Sequence, residues 1–218
     1  MHYQGIIFDL DGTLVNSLEG LARAMNNVLT RFGYPRHETE AYRHFIGRGI
    51  KKLVLRALPE EHRDEGTVAE CLAFMREEYQ KHWADNMYLY EGIPGLLDEL
   101  TRLGVKLAIL TNKPDNYTEL IVQRFLSDWN FAEVIGARED LPKKPDPTGA
   151  NLIARKLNIP PKNLLYLGDT AVDMETANKA GMFAVGALWG FRSAGELKSA
   201  GAKALIKHPL DILDLLDR

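Results

Sequence analysis

The sequence predicts an α/β fold in which a doubly wound parallel sheet carries an inserted α-helical domain. Three features lead to that expectation. Short apolar runs alternate with helical segments of crossover length, the pattern of strands joined by helices that cover both faces of a sheet. The first run, Gly5-Ile6-Ile7-Phe8, is continuously apolar, as a strand buried on both faces should be. Between residues 15 and 88 the alternation stops, and helical periodicity continues with no convincing strand.

The first strand ends in Asp9-Leu10-Asp11-Gly12-Thr13, an Asp/Gly cluster that marks the exit from the sheet. Leu18, Leu21, Ala22, Met25, Val28, Leu29 and Phe32 then fall at helical spacing, with Gly33 as the stop. Further helices are expected at about 50–58 and 66–83. So long an insertion is not an ordinary crossover. It reads as a helical domain over 15–88, leaving a core of 1–14 and 89–218. The chain crosses twice, near 15–17 and near 88–91, and two close crossings make a hinge. In the core, strands are expected at 105–110, weakly at 133–135, then at 164–167 and 183–187. Helices are expected between them at 116–127, 148–157 and 171–180.

Composition narrows the function. Apolar residues at 45% and charged residues at 26% suit a soluble globular chain that builds its own core. A net charge of −3 argues against nucleic-acid binding through bulk positive charge. Cys71 is the single cysteine, so neither an internal disulfide nor a cysteine zinc site is expected, which fits a reducing compartment. No apolar run approaches the roughly 18 residues of a membrane span. The start MHYQGIIFDLDG lacks the cationic and apolar regions of a signal peptide. A cytoplasmic protein is expected, with neither a nucleic-acid nor a membrane partner.

Four motifs carry chemistry. Asp9 and Asp11 lie two apart at a strand end, so both should project to one face, at the sheet edge where doubly wound folds bind ligands. Two carboxylates held together need a cation or a shared proton; the alternative is a solvated Asp-Gly turn. Thr111-Asn112-Lys113 follows the second core strand, where a hydroxyl and backbone N–H groups would grip a phosphate. Thr-Asn is also an ordinary helix cap, and Pro114 suits a first helical turn. In Lys143-Lys144-Pro145-Asp146-Pro147 the prolines restrict the backbone and would hold an ammonium toward that edge, unless the segment is a solvated loop. Gly168-Asp169-Thr170-Ala171-Val172-Asp173 supplies two more carboxylates, and oxygen ligands without His or Cys suit Mg2+. Asp173 would also complement the dipole of the following helix. A magnesium ion and a phosphoryl group would account for the whole set.

With these motifs the chain resembles the haloacid-dehalogenase superfamily of phosphatases, and within it the phosphoglycolate phosphatase group. The likeness runs through DLDGTLVNS, FIGRGIKKLV, YEGIPGLLDEL, TNKP, KKPDP, GDTAVD and WGFRSAGEL, nearly the whole chain. It implies a Rossmann-like core with a helical cap and a Mg2+-dependent phosphatase acting on a small phosphorylated metabolite. The expected substrate is 2-phosphoglycolate, and the expected route is an aspartyl-phosphate. Carried over, the pattern makes Asp9 the nucleophile and Asp11 the general acid/base. Thr111 and Lys144 become the phosphate binders, and Asn112 beside them is a further candidate for binding substrate. Asp9, Asp169 and the backbone carbonyl of Asp11 become metal ligands, with Asp173 in or just behind that shell. Asn16 departs from the Asp of many relatives but lies outside this set.

Competing readings differ in substrate or in class. The family's dehalogenases lack the second Asp, and its mutases place a histidine about where Leu21 stands. An inorganic pyrophosphatase of the same capped type would share the core chemistry. A non-catalytic binding protein on this fold is the reading from another class. Substrate choice falls to the cap loop Ile46-Gly47-Arg48-Gly49-Ile50, where Arg48 could grip a small carboxylate bidentately. Otherwise Arg48 ends a helix or sits in solvent, with Lys51 and His44 as weaker candidates.

Overall fold

The computed structural model describes residues 2–216, which divide into two units. One is the chain up to Val15 together with the chain from Leu89 onward; the other is Asn16–Tyr88. In order, the elements begin with β1 (Gly5–Phe8), β2 (Val15–Asn16), α1 (Leu18–Arg31), α2 (Tyr42–Phe45), α3 (Ile50–Ala57) and α4 (Glu65–His82). They continue with β3 (Tyr88–Leu89), α5 (Ile93–Arg102), β4 (Lys106–Pro114), α6 (Asp115–Phe125) and β5 (Phe131–Ala137). Last come α7 (Thr148–Leu157), β6 (Leu164–Gly168), α8 (Ala171–Lys179), β7 (Phe183–Ala187), α9 (Ala194–Ser199) and β8 (Ala204–Ile206).

In the first unit, six parallel strands lie in the order β5-β4-β1-β6-β7-β8. The chain builds outward from β1 twice, first through β4 to β5 and then through β6 to β8. The strand order therefore reverses at β1, and the crevice beyond its carboxyl end is the topological switch point. Because β1 is paired on both edges and covered on both faces, Ile6, Ile7 and Phe8 are fully buried. That is the physical reason for its unbroken apolar run. The face bearing Ile7, Ala108, Leu110 and Tyr166 packs against Ile153 and Ala154 of α7, Met174 and Ala177 of α8 and Leu197 of α9. The alternate residues Phe8, Ile109 and Leu167 are just as buried, and α5 and α6 pack against β4.

The strands run further than the apolar runs predict. β4 continues past Leu110 through Thr111, Asn112 and Lys113 to Pro114, so the TNK motif lies on extended backbone and not in a strand-to-helix turn. The proline fits because the β4–β5 register shifts between Leu110 and Pro114, where the ladder is already broken. β5 spans seven residues where only its centre was expected. Strands β2, β3 and β8 were not expected at all. β2 and β3 pair with each other where the chain passes between its two units.

In the second unit, α1 packs along α4 around Met25, Leu29, Met75 and Tyr79. Gly20 permits the approach, since a Cβ there would press on the carbonyl oxygen of His82. Asn26 is buried and hydrogen-bonded at both amide atoms: Tyr42 Oη and the His37 N–H donate to its Oδ1, and its Nδ2 donates to the His37 carbonyl. Asp64 caps α4 by accepting from the Thr67 N–H. Gly47 and Gly49 both have positive φ, so the loop around exposed Arg48 needs glycine at each flank. No helix among the described residues is long and apolar enough to cross a membrane.

Candidate active site

The ends of β1, β4 and β6 and the loop before α7 deliver ionisable side chains to the switch point. Asp9 follows β1, and its Oδ1 accepts from the Leu10 N–H at 2.7 Å and from Lys144 Nζ at 2.9 Å. Asp169 follows β6; its Oδ1 accepts from Thr13 Oγ1 at 3.1 Å and its Oδ2 from the Phe191 N–H at 2.7 Å. Asp173 sits in the first turn of α8, where Oδ2 accepts from the Thr170 hydroxyl and N–H, a capping box. Its other oxygen accepts from Lys144 Nζ at 2.7 Å. Asp173 thus caps α8 and pairs with Lys144 at the same time.

Ligand atoms from Asp9, Asp169 and Asp173 all lie within 4.8 Å of one another, and all three residues are buried. One ammonium, Lys144, bridges two of them. Three buried carboxylates against one buried cation leave an excess of negative charge that the interior does not tolerate. The strain appears in the titration. Burial and the neighbouring Asp173 push Asp9 up to about 7, against the opposing pull of Lys144. Burial, then Asp173 and Asp9, push Asp169 well above the ordinary carboxylate range. Burial alone would depress the Lys144 ammonium, but Asp173 and Asp9 raise it well above its usual value. An all-oxygen donor set short of positive charge fits a hard divalent cation.

Glycine makes the close approach possible. A Cβ on Gly12 would overlap the Asp169 carboxylate, and one on Gly190 would overlap the Asp169 Cβ and the Gly12 carbonyl oxygen. A Cβ on Gly168 would strike the Asp173 side chain. Gly12 also has a φ of 85°, a second reason for glycine there.

The expected residues divide by partner. Asp9, Asp169, Asp173 and Lys144 come together directly. Asp11 stands apart: both its carboxylate oxygens accept from Lys113 Nζ, at 2.9 and 3.0 Å, and its side chain is not in the three-carboxylate cluster. Thr111 is buried, and its Oγ1 accepts from the Lys113 N–H. Asn112, expected at the substrate, is instead engaged with the chain: Oδ1 accepts from the Lys144 N–H at 2.9 Å and Nδ2 donates to the Lys144 carbonyl at 3.0 Å. This amide clamp, rather than the prolines alone, fixes the lysine; the Lys144–Pro145 bond is cis. Arg48 belongs to the second unit, on its exposed loop. Reading the sequence did not single out Thr13, the Phe191 N–H or the ion-pairing role of Lys113. A lysine two places after Thr111, close behind an apolar strand, was the one available signal.

The model of the haloacid dehalogenase-like hydrolase family matches residues 6–187. The phosphoglycolate phosphatase of Mannheimia succiniciproducens is 33% identical over 190 residues, 84% of this chain and 85% of its own length. Phosphoglycolate phosphatase 1 of Pseudomonas aeruginosa is 30% identical over 98% of this chain and 79% of its own. The crystal structure of a predicted phosphoglycolate phosphatase from Haemophilus somnus is similar with a TM-score of 0.90 and 28% identity, covering 99% of this chain and 98% of that one. CbbY from Rhodobacter sphaeroides, solved in complex with phosphate, is similar with a TM-score of 0.81 and 25% identity, covering 99% and 100%.

Proposed function

The chain belongs to the haloacid dehalogenase-like hydrolase family, and on that premise we propose that it is a Mg2+-dependent phosphatase acting on 2-phosphoglycolate through a phosphorylated Asp9. The observation that carries this reading is the buried trio Asp9, Asp169 and Asp173, in which the Lys144 ammonium bridges Asp9 and Asp173. The names of the curated relatives support the substrate.

A phosphate monoester brings up to two negative charges toward a carboxylate nucleophile. Asp9 and Asp169, with the backbone carbonyl of Asp11 and with Asp173 alongside, would hold the Mg2+, which when bound offsets that charge. Lys144 offsets more of it, and with the Leu10 N–H it fixes Asp9 by one oxygen. Thr111 donates its hydroxyl to the phosphoryl group. Asp9 attacks phosphorus; the bond to the leaving oxygen breaks as protonated Asp11 gives that oxygen its proton. Asp11, now a carboxylate, takes a proton from water as the water attacks phosphorus, releasing phosphate and the free Asp9. Arg48, on the glycine-flanked loop of the second unit, is the residue proposed for the substrate carboxylate.

Phosphate release from 2-phosphoglycolate, inorganic pyrophosphate and an aryl phosphate, each with Mg2+ and with EDTA, tests the reading. The expected result is the highest kcat/KM for 2-phosphoglycolate and no turnover in EDTA. Preference for pyrophosphate overturns the substrate, and no release from any monoester overturns the activity. Arg48→Ala should lower kcat/KM for 2-phosphoglycolate by about 1.5–3 kcal/mol, the value of a hydrogen bond to a charged group. It should leave the aryl phosphate, which has no carboxylate, unchanged.

A further inference from the structure

Asp9 and Asp11 are two residues apart, yet they end on different cations: Asp9 on Lys144, Asp11 on Lys113. The second pair is not a surface ion pair. The Lys113 side chain is 2% exposed and that of Asp11 13%. Burying an ammonium is costly unless it is paired, and the chain goes to some length to place this one. β4 is carried past its apolar run, the Lys113 N–H is tied to Thr111 Oγ1, and Asn112 between them is tied to the Lys144 backbone. The result is a carboxylate held by both oxygens and kept out of the three-carboxylate cluster that could hold a cation.

We propose that Lys113 is a positioning residue that holds the Asp11 carboxylate apart from the Asp9–Asp169–Asp173 cluster, so that Asp11 serves proton transfer and does not become a further carboxylate ligand. The inference rests on the acid/base role given to Asp11 above. Mg2+ is bound through one or two carboxylates and keeps several waters. A carboxylate released near it would bind it, tightening the metal while removing the acid/base from the leaving group. Lys113 prevents that exchange by pairing with Asp11, through both oxygens of the carboxylate and through one when the other carries the proton.

Two readouts on Lys113→Met test this, one of them independent of substrate. With Mn2+ alone, followed by electron paramagnetic resonance, the variant should bind the ion more tightly than wild type, on the order of tenfold. In turnover, kcat should fall about 100-fold for an alkyl phosphate, whose leaving group needs a proton, and much less for an aryl phosphate, with KM little changed. Lys113→Arg should restore part of both effects, and in an Asp11→Asn background Lys113→Met should add nothing. Unchanged Mn2+ affinity overturns the proposal, as does a rise in KM shared by both substrates, which would make Lys113 a phosphoryl-binding residue. Should no monoester be hydrolysed by wild type, the proposed function falls while the Mn2+ measurement still decides the role of Lys113. Lys113→Gln, which keeps a donor without the charge, carries the same readouts if the methionine variant does not fold.

Discussion

A methyl group on Gly190 would meet the Asp169 Cβ and the Gly12 carbonyl oxygen, neither of which can swing aside. Gly190→Ala is therefore expected to lower stability by about 1–3 kcal/mol, the cost of overpacking. It should also shrink the rise in Tm that Mg2+ produces, because relief comes only by shifting the backbone that carries Asp169. Thermal melts with and without Mg2+ check both; a variant that melts and responds as wild type would mean the Asp169 cradle is loose. At this scale the acidic residues were legible in the sequence, since paired carboxylates after strands have few other uses. Their donors were harder to see. The Phe191 N–H is a backbone group with no residue signature, and the Thr13 hydroxyl is one of many in the chain. Lys113 was masked by Pro114, which made the segment read as the start of a helix.

Among the elements, the long strand β4 does the most for the site, because its polar end carries Thr111, Asn112 and Lys113 into place. Asn112→Ala would leave the Lys144 N–H and carbonyl without their side-chain partner, at about 1–3 kcal/mol for a buried unsatisfied group. Stability and kcat should fall together, as urea unfolding and steady-state kinetics would show. A drop in substrate affinity alone, at full stability, would return Asn112 to the direct substrate role expected from sequence. β1, β7 and α7 have the expected bounds, and α1, α3 and α4 lie where periodicity put them, whereas α2, α5 and α9 were not expected. β2 and β3, of two residues each, and β8, of three, are too short for any period to register. The polar end of β4 has no apolar pattern either, since it is shaped by the site rather than the core.

For the molecule as a whole, the site sets how stability depends on pH. Asp9 titrates at about 7 in the folded chain, raised by burial and by Asp173, whereas an exposed carboxylate titrates near ~4. A folded pKa raised above the unfolded one contributes stability that is complete below pH ~4 and is lost as pH rises through about 7. Asp169 is shifted in the same direction by the same burial. Metal-free protein should thus lose stability from pH 5 to 8, and a cation on the ionised carboxylates should restore it. The gap in Tm between Mg2+ and EDTA is expected to widen over that range; a gap independent of pH would mean the trio holds no cation. The central claim, that Asp9 is the group phosphorylated in turnover, has a more direct test. Asp11→Asn, incubated with an aryl phosphate and Mg2+ and quenched in acid, should hold a phosphoryl group that peptide mass spectrometry assigns to Asp9. A burst of aryl alcohol with the phosphoryl group on another residue, or on none, would contradict it.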